Sequence, residues 1–308
     1  MSKLLAVGTL AYDAIETPFD RTEKTLGGSV SYIALAASHF NIDIGIVSVI
    51  GGDFEEKHLD LLRSKKIDLS GVEKIQEGKT FFWSGRYRSD MNSRDTLVTE
   101  LNTLADFDPK VPENFKDAEV LLLGNLHPSI QLSVLDQMHK RPNIVILDTM
   151  NYWIEHAPDE LELVLKRIDV LAINDEEARQ LSGEYSLVKA AKKILEKGPS
   201  YLVIKKGEHG ALLFHKDKVF FAPALPLEDV YDPTGAGDTF AGGLAGYLAE
   251  SRHISFDKLK SALIHGANLA SFCVEKIGTE RMETLERKEI AERLEIFKTL
   301  TQCVIELD

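Results

Sequence analysis

The stretch YDPTGAGDTFAGG, residues 231–243, holds four glycines and two aspartates and runs straight into an apolar, helix-like segment, LAGYLAE. A helix N-terminus presents unpaired N–H groups and a partial positive charge. Glycine lets the backbone approach a ligand closely and adopt positive φ. Gly235, Ala236 and Gly237 can therefore point their amides at one phosphate, with Pro233 fixing the entry to the turn. Asp238 follows, a carboxylate beside the place where that phosphate would react, able to take the proton of an attacking hydroxyl. An aspartate at a helix start is also an ordinary cap. The chain has no GxxxxGK[ST] pattern and no GxGxxG turn after its first strand, so a nucleotide site must use another device.

Other residues could join this chemistry. Asn174 and Glu177 have the spacing of a capping box, Asn at N-cap and Glu at N3. Lys205, Lys206, Gly207 and Gly210 fall between two apolar strands, either as a hairpin turn with solvated lysines or as a nucleotide contact to which the glycines admit the ligand. Asp13 can accept hydrogen bonds from two hydroxyls of a sugar. The nine histidines show no metal-ligand spacing, and no Ser-His-Asp or Cys-His arrangement stands out.

These residues need a frame. LLAVGT (4–9), IGIVSVIG (44–51), VLLLGN (120–125), IVILD (144–148), VLAIN (170–174) and YLVIKKG (201–207) are continuous apolar runs, the pattern of strands covered on both faces. Helical patterns fill the gaps at 29–40, 54–66, 128–140, 159–167, 175–182 and 186–197, and the chain ends helically at 237–250, 257–275 and 286–300. This alternation predicts an α/β fold, a mainly parallel central sheet with helices on both faces. ALLFHK and KVFFAP flank residue 217 as a hairpin. Residues 71–105 break the rhythm with exposed, alternating β-formers. Together with about 12–26 they predict a small β-sheet lid over one end of the main sheet, within a single domain spanning 1–308.

DPTGAGDTFAGGL closely resembles the C-terminal signature D-x-T-G-A-G-D of the ribokinase-like (PfkB-type) carbohydrate kinases. The resemblance spans the chain: GG at 27–28, GGDFEEKHLDLLRSKKID from residue 51, NDEEA at 174–178 and KKGEHGALLF at 205–214. It implies an ATP-dependent transfer of phosphate to an alcohol, with Asp238 as base and the Gly235–Gly237 amides as anion hole. Asn174 and Glu177 are then expected to help position Mg²⁺ and phosphates through water, and Lys205, Lys206, Gly207 and Gly210 to meet the nucleotide. Asp13, Gly27 and Gly28 fall where the family binds its acceptor, and Asn268 near its adenine. Asp232 opens a loop that in some relatives holds a monovalent cation such as K⁺. One departure concerns the acceptor. Sugar-binding members place Asn a few residues after the Gly-Gly pair, where this chain has Tyr32. With Tyr12, Phe82, Trp83 and Arg86 on the proposed lid, Tyr32 either lines a pocket able to stack on a base or a sugar face or packs as a core aromatic of its helix. The acceptor expectation is a small sugar or polyol, with a nucleoside as the alternative. Lid strands in the family often pair between subunits, which implies a homodimer.

The bulk numbers agree with such an enzyme. A net charge of −13 repels nucleic acid and anionic membrane, and no basic stripe offsets it. No apolar run approaches the roughly 20 residues that span a bilayer, and the N-terminal apolar stretch carries Asp13 and Glu16, as a core strand does and a signal peptide does not. Cys273 and Cys303 alone give no disulfide framework, which suits the cytoplasm. Two other classes compete: a regulator that kept nucleotide or sugar binding but lost turnover, and a dinucleotide-dependent oxidoreductase. An intact GAGD argues against the first, and the missing GxGxxG turn against the second.

Overall fold

The computed structural model describes residues 1–251 and 254–302; Cys303 lies outside them. Thirteen strands follow in chain order: β1 Lys3–Val7, β2 Ala11–Glu16, β3 Arg21–Gly27, β4 Asp43–Gly51, β5 Ile67–Ile75, β6 Phe81–Tyr87, β7 Arg94–Glu100, β8 Val120–Leu123, β9 Ile144–Leu147, β10 Val170–Asn174, β11 Tyr201–Lys205, β12 Ala211–His215 and β13 Lys218–Ala222. Nine of them form one sheet in the order β13-β12-β11-β10-β9-β8-β1-β4-β5. It is parallel from β5 to β11, and the β12–β13 hairpin adds the antiparallel edge.

Strand alternation sends successive side chains to opposite faces, and each face has its own core. Leu4 and Ala6 of β1 pack with the helices Ser29–Ala37, Ala236–Ser251 and Phe256–Cys273. Leu5 and Val7 pack with the helices Pro128–Gln137, Pro158–Leu165 and Leu187–Leu195. All nine residues of Ser29–Ala37 are buried. The helix Ala236–Ser251 lies so close to it that a Cβ at Gly242 would come 2.4 Å from the Ile33 carbonyl oxygen.

From β1 the chain builds outward through β4 and β5 on one side, and then through β8 to β11 on the other. The strand order therefore reverses between β1 and β8, and in open α/β sheets ligands bind in the crevice at the carboxyl ends beside such a reversal. A second sheet, β3-β2-β6-β7, stands apart from the first. It consists of two antiparallel hairpins joined by a parallel pairing of β2 with β6. This corrects the boundary expected from sequence: residues 71–75 complete β5 at the edge of the main sheet, parallel to β4, and the second hairpin of the small sheet begins at Phe81.

Candidate active site

Lys205 ends β11, Asn174 ends β10, and Asp148 follows directly on β9. Lys205 and Asp148 reach across β10 to pair, Nζ to Oδ2 at 2.5 Å, with both side chains largely buried. Burial pulls the Lys205 ammonium down, but the charges of Asp148, Glu177 and Asp238 outweigh it and hold the group above its ordinary range. A Cβ placed on Gly237 would stand 3.2 Å from Lys205 Nζ, so this cation touches the turn that the sequence picks out.

That turn is held from below. Asp232 is fully buried; its Oδ1 accepts the Thr234 N–H at 2.8 Å and its Oδ2 the Gly278 N–H at 2.7 Å. Gly235 takes φ 73°, and a Cβ there would fall 2.4 Å from the Tyr32 ring. Both constraints demand glycine. The Ala236 amide donates to the Pro233 carbonyl at 3.2 Å, and the Thr239 amide to the Gly235 carbonyl at 2.8 Å. The Gly235 and Gly237 amides have no protein acceptor among the described residues and remain for an anion at the helix N-terminus. Of the three expected amides, Ala236's is therefore engaged within the turn.

Asp238 sits in the first turn of Ala236–Ser251. Its carboxyl is pushed up to about 7, first by burial and then by Asp148, against the pull of Lys205 and Arg94. A carboxyl poised there suits a base working near neutrality. Asn174 and Glu177 form the reciprocal capping box: Glu177 N–H donates to Asn174 Oδ1 at 2.7 Å, and Asn174 N–H to Glu177 Oε2 at 2.8 Å. Burial lifts the Glu177 carboxyl to about 7 as well. Among the described residues no three Asp, Glu, His or Cys side chains converge on one point.

On the side of the small sheet, Asp13 of β2 is buried, and a Cβ at Gly27 would collide with its carboxylate at 2.0 Å. Gly28, φ 86°, then opens the helix Ser29–Ala37, tied back to the β1–β2 connection by reciprocal bonds between Thr9 and Ser29. Burial raises the Asp13 carboxyl to about 7; Asp232 and Asp238 add to the rise, and the Gly28 N–H and Arg94 oppose it.

Three residues expected at the site lie elsewhere. Tyr32 is 1% exposed beneath Gly235, so its ring supports the turn instead of lining a pocket. Asn268 is fully buried and its amide donates to the Ile290 carbonyl at 3.1 Å, a packing role. Arg86 is exposed and paired with Glu16 at 2.8 Å. Lys206 leads the turn at Gly207–His209, its N–H bonded to the Gly210 carbonyl at 2.8 Å; Gly207 is exposed and Gly210 buried.

The small sheet brings Tyr87, Arg94 and Asn92, which sequence reading passed over, beside Asp13 and Trp83, which it named. Asp13 pairs in register with Trp83, and Tyr87 with Arg94. Alternation puts Trp83 and Tyr87 on the face of Asp13, and Glu16 and Arg86 on the other. Arg94, directly across from Tyr87, shares the inner face; its guanidinium lies 5.8 Å from the Trp83 ring. The Tyr87 hydroxyl accepts from Thr234 Oγ1 at 3.1 Å, one residue before Gly235. The tip of the β6–β7 hairpin reaches the other end of the site, where a Cβ on Gly207 would lie 2.9 Å from Asn92 Oδ1.

Known proteins share this arrangement of chain and fold. Residues 1–285 match the model of the pfkB family carbohydrate kinases. A cytidine kinase of Thermococcus kodakarensis is 32% identical over 251 residues, 80% of this chain and 89% of that protein. A nucleoside kinase of Methanothermobacter thermautotrophicus is 27% identical over 307 residues, 90% of this chain and 91% of that protein. The crystal structure of Methanocaldococcus jannaschii nucleoside kinase superposes with a TM-score of 0.77 at 22% identity, covering 96% of this chain and 99% of that one. Burkholderia thailandensis nucleoside kinase in complex with ADP-inosine gives 0.78 at 20% identity, covering 95% of both chains. The GAGD turn at the head of a buried helix, the paired sheets and a family match over nearly the whole length make one statement: the chain belongs to the pfkB family of carbohydrate kinases.

Proposed function

We propose that this ATP-dependent kinase takes a nucleoside as its acceptor and phosphorylates an alcohol of the sugar moiety. The observation that carries the choice is the register of Asp13 with Trp83 on one face of the small sheet. A carboxylate there can accept bonds from two ribose hydroxyls, and a half-exposed indole beside it offers a flat surface for a base. The named relatives, a cytidine kinase and nucleoside kinases, support the same reading.

In this reading the ionised Asp238 carboxylate takes the proton of the acceptor hydroxyl. An oxygen lone pair forms the new bond to the γ-phosphorus, while the bond to the β–γ bridging oxygen breaks and ADP departs with its electron pair. The Gly235 and Gly237 amides, at the positive end of the helix, face the oxygens of the transferring group. Lys205, fixed by Asp148, holds the phosphate chain against the turn. Mg²⁺, when bound, spreads phosphate charge; Asn174 and Glu177 are the residues that would hold its waters. The small sheet serves as the lid, excluding water that would compete as acceptor. The fully exposed edge strand β7, with Leu97 and Val98 uncovered, supports pairing of two copies along that edge.

ADP release, measured with MgATP and a panel of cytidine, uridine, adenosine, inosine, ribose, fructose and inositol, tests the acceptor. A nucleoside should give the highest kcat/KM. A free sugar or polyol preferred over every nucleoside would move the enzyme to the sugar kinases.

A further inference from the structure

We propose that Gly85 and Thr96 determine acceptor specificity: together they seat the Trp83 indole as a platform for the base, and so set the preference for a nucleoside over a free sugar. The inference rests on the nucleoside reading given above, and both residues act through Trp83 as positioning residues. The indole runs along β6 over Gly85, where a Cβ would fall 2.1 Å from its ring carbon Cη2 and 2.3 Å from Cζ2. Its N–H reaches toward β7 and donates to Thr96 Oγ1, a long contact at 3.4 Å. Gly85 and Thr96 stand opposite each other in register, brought there by the irregularity between Ser84 and Gly85. A bulge of this kind re-aims side chains.

Nothing in the backbone requires glycine at 85. Its φ lies outside the left-handed region, so a β-branched residue would suit the strand. The close approach of the ring is what requires it. Gly85 is buried, whereas Trp83 stays half-exposed. The seat therefore takes up the indole's one donor and leaves ring surface open to a ligand. Asp13 lies opposite Trp83 on β2, and the ring extends the other way, toward β7. Adjacent strands lie about 4.8 Å apart. A nucleoside laid across them places its ribose hydroxyls at Asp13 and its base over the indole. Every base has a π-face, so such a platform separates nucleosides from bare sugars. The competing role is structural: an aromatic ring that covers a strand glycine and stabilises the sheet.

The test uses the full chain with Gly85→Val, Thr96→Val and Thr96→Ser, and cytidine, adenosine and ribose as acceptors with MgATP. Gly85→Val should lower kcat/KM for both nucleosides by about tenfold to a hundredfold, the worth of one base–aromatic stack, through KM. The kcat/KM for ribose and the KM for MgATP should hold. Thr96→Val should move the nucleosides the same way by less, and Thr96→Ser should match the unmodified enzyme. Thr96 is exposed, so Thr96→Val should fold and carries the test alone should Gly85→Val not fold. A second arm needs no turnover. Trp83 and Trp153 are the two tryptophans, so in a Trp153→Phe background the emission reports Trp83 alone. Cytidine and adenosine should quench it, at higher concentration once Gly85→Val is added. Nucleoside KM within about threefold of the unmodified enzyme in every variant that folds, or a loss that ribose shares equally, marks a structural pair and overturns the proposal even where both nucleosides quench Trp83. Should neither nucleoside quench Trp83 nor be phosphorylated by the unmodified enzyme, the nucleoside reading itself fails, and the platform with it.

Discussion

The hydroxyl of Tyr87, at the end of β6, accepts a hydrogen bond from Thr234 Oγ1 at 3.1 Å, and both residues are buried. Thr234 immediately precedes Gly235, so the bond joins the small sheet to the GAGD turn. Tyr87→Phe should leave the Thr234 hydroxyl unsatisfied and cost about 1–3 kcal/mol. It should also free the small sheet: amide exchange over 81–100 should quicken while the main sheet stays protected. Unchanged exchange in 81–100 would show that the bond does not hold the sheet down.

Asp238→Asn keeps the shape of the side chain and can still cap the helix. It should fold, bind MgATP and lose about 10²–10⁴-fold in turnover. In the unmodified enzyme the base must be ionised, and its carboxyl lies up at about 7. Activity should therefore rise with pH through neutrality. A well-folded Asp238→Asn protein with near-normal turnover would make Asp238 a cap and nothing more.

Asp13 gives a stability prediction with a definite sign. Its folded carboxyl is raised to about 7 from 3.8. Between those values the unfolded chain gives up the proton that the folded chain keeps, so this group's contribution falls as pH rises from about 4 to about 7. Asp13→Asn removes the titration. Its unfolding free energy should gain on the parent's at pH 8, by an amount on the order of a few kcal/mol, and not at pH 4. Acceptor KM should rise in the same variant. Equal pH dependence of the two melting curves would contradict the burial argument.

The Tyr32 hydroxyl is buried without a hydrogen-bond partner among the described residues, although its ring supports Gly235. Removing a polar group that has no partner relieves a desolvation cost. Tyr32→Phe should thus be neutral or stabilising by about 1 kcal/mol, with kcat retained. Tyr32→Ala, which empties the space under the turn, should destabilise by roughly 3–5 kcal/mol. A Tyr32→Phe protein that melts markedly lower would show that the hydroxyl is satisfied in solution.

The six buried strands were legible because a strand covered on both faces must be apolar throughout, and those runs have no competing period. β5 was harder. IDLSGVEKI is the edge of the sheet, and its mixed burial has the look of the small sheet beside it. The inner arginine failed for a related reason. Trp83 and Tyr87 share a face by simple alternation, which already places Arg86 on the other. Finding Arg94 requires the cross-strand register, and an irregularity between Ser84 and Gly85 shifts it. Asp148 left no local signal at all. It closes an ordinary apolar strand, and only the order β11-β10-β9 brings it to Lys205, 57 residues away in sequence. The GAGD turn was visible because its constraints are local: a positive φ, a ring beneath and a helix ahead.

The buried Asp232 has a consequence for how the enzyme is made. Its second oxygen is satisfied by the Gly278 amide, 46 residues downstream. A nascent chain halted before that glycine has Asp13 and both lysines, yet the buried Asp232 carboxylate keeps only the Thr234 amide and the turn at Gly235 has lost one of its anchors. Incomplete translation products should for that reason be unable to waste ATP, and should expose a local defect that proteases can find.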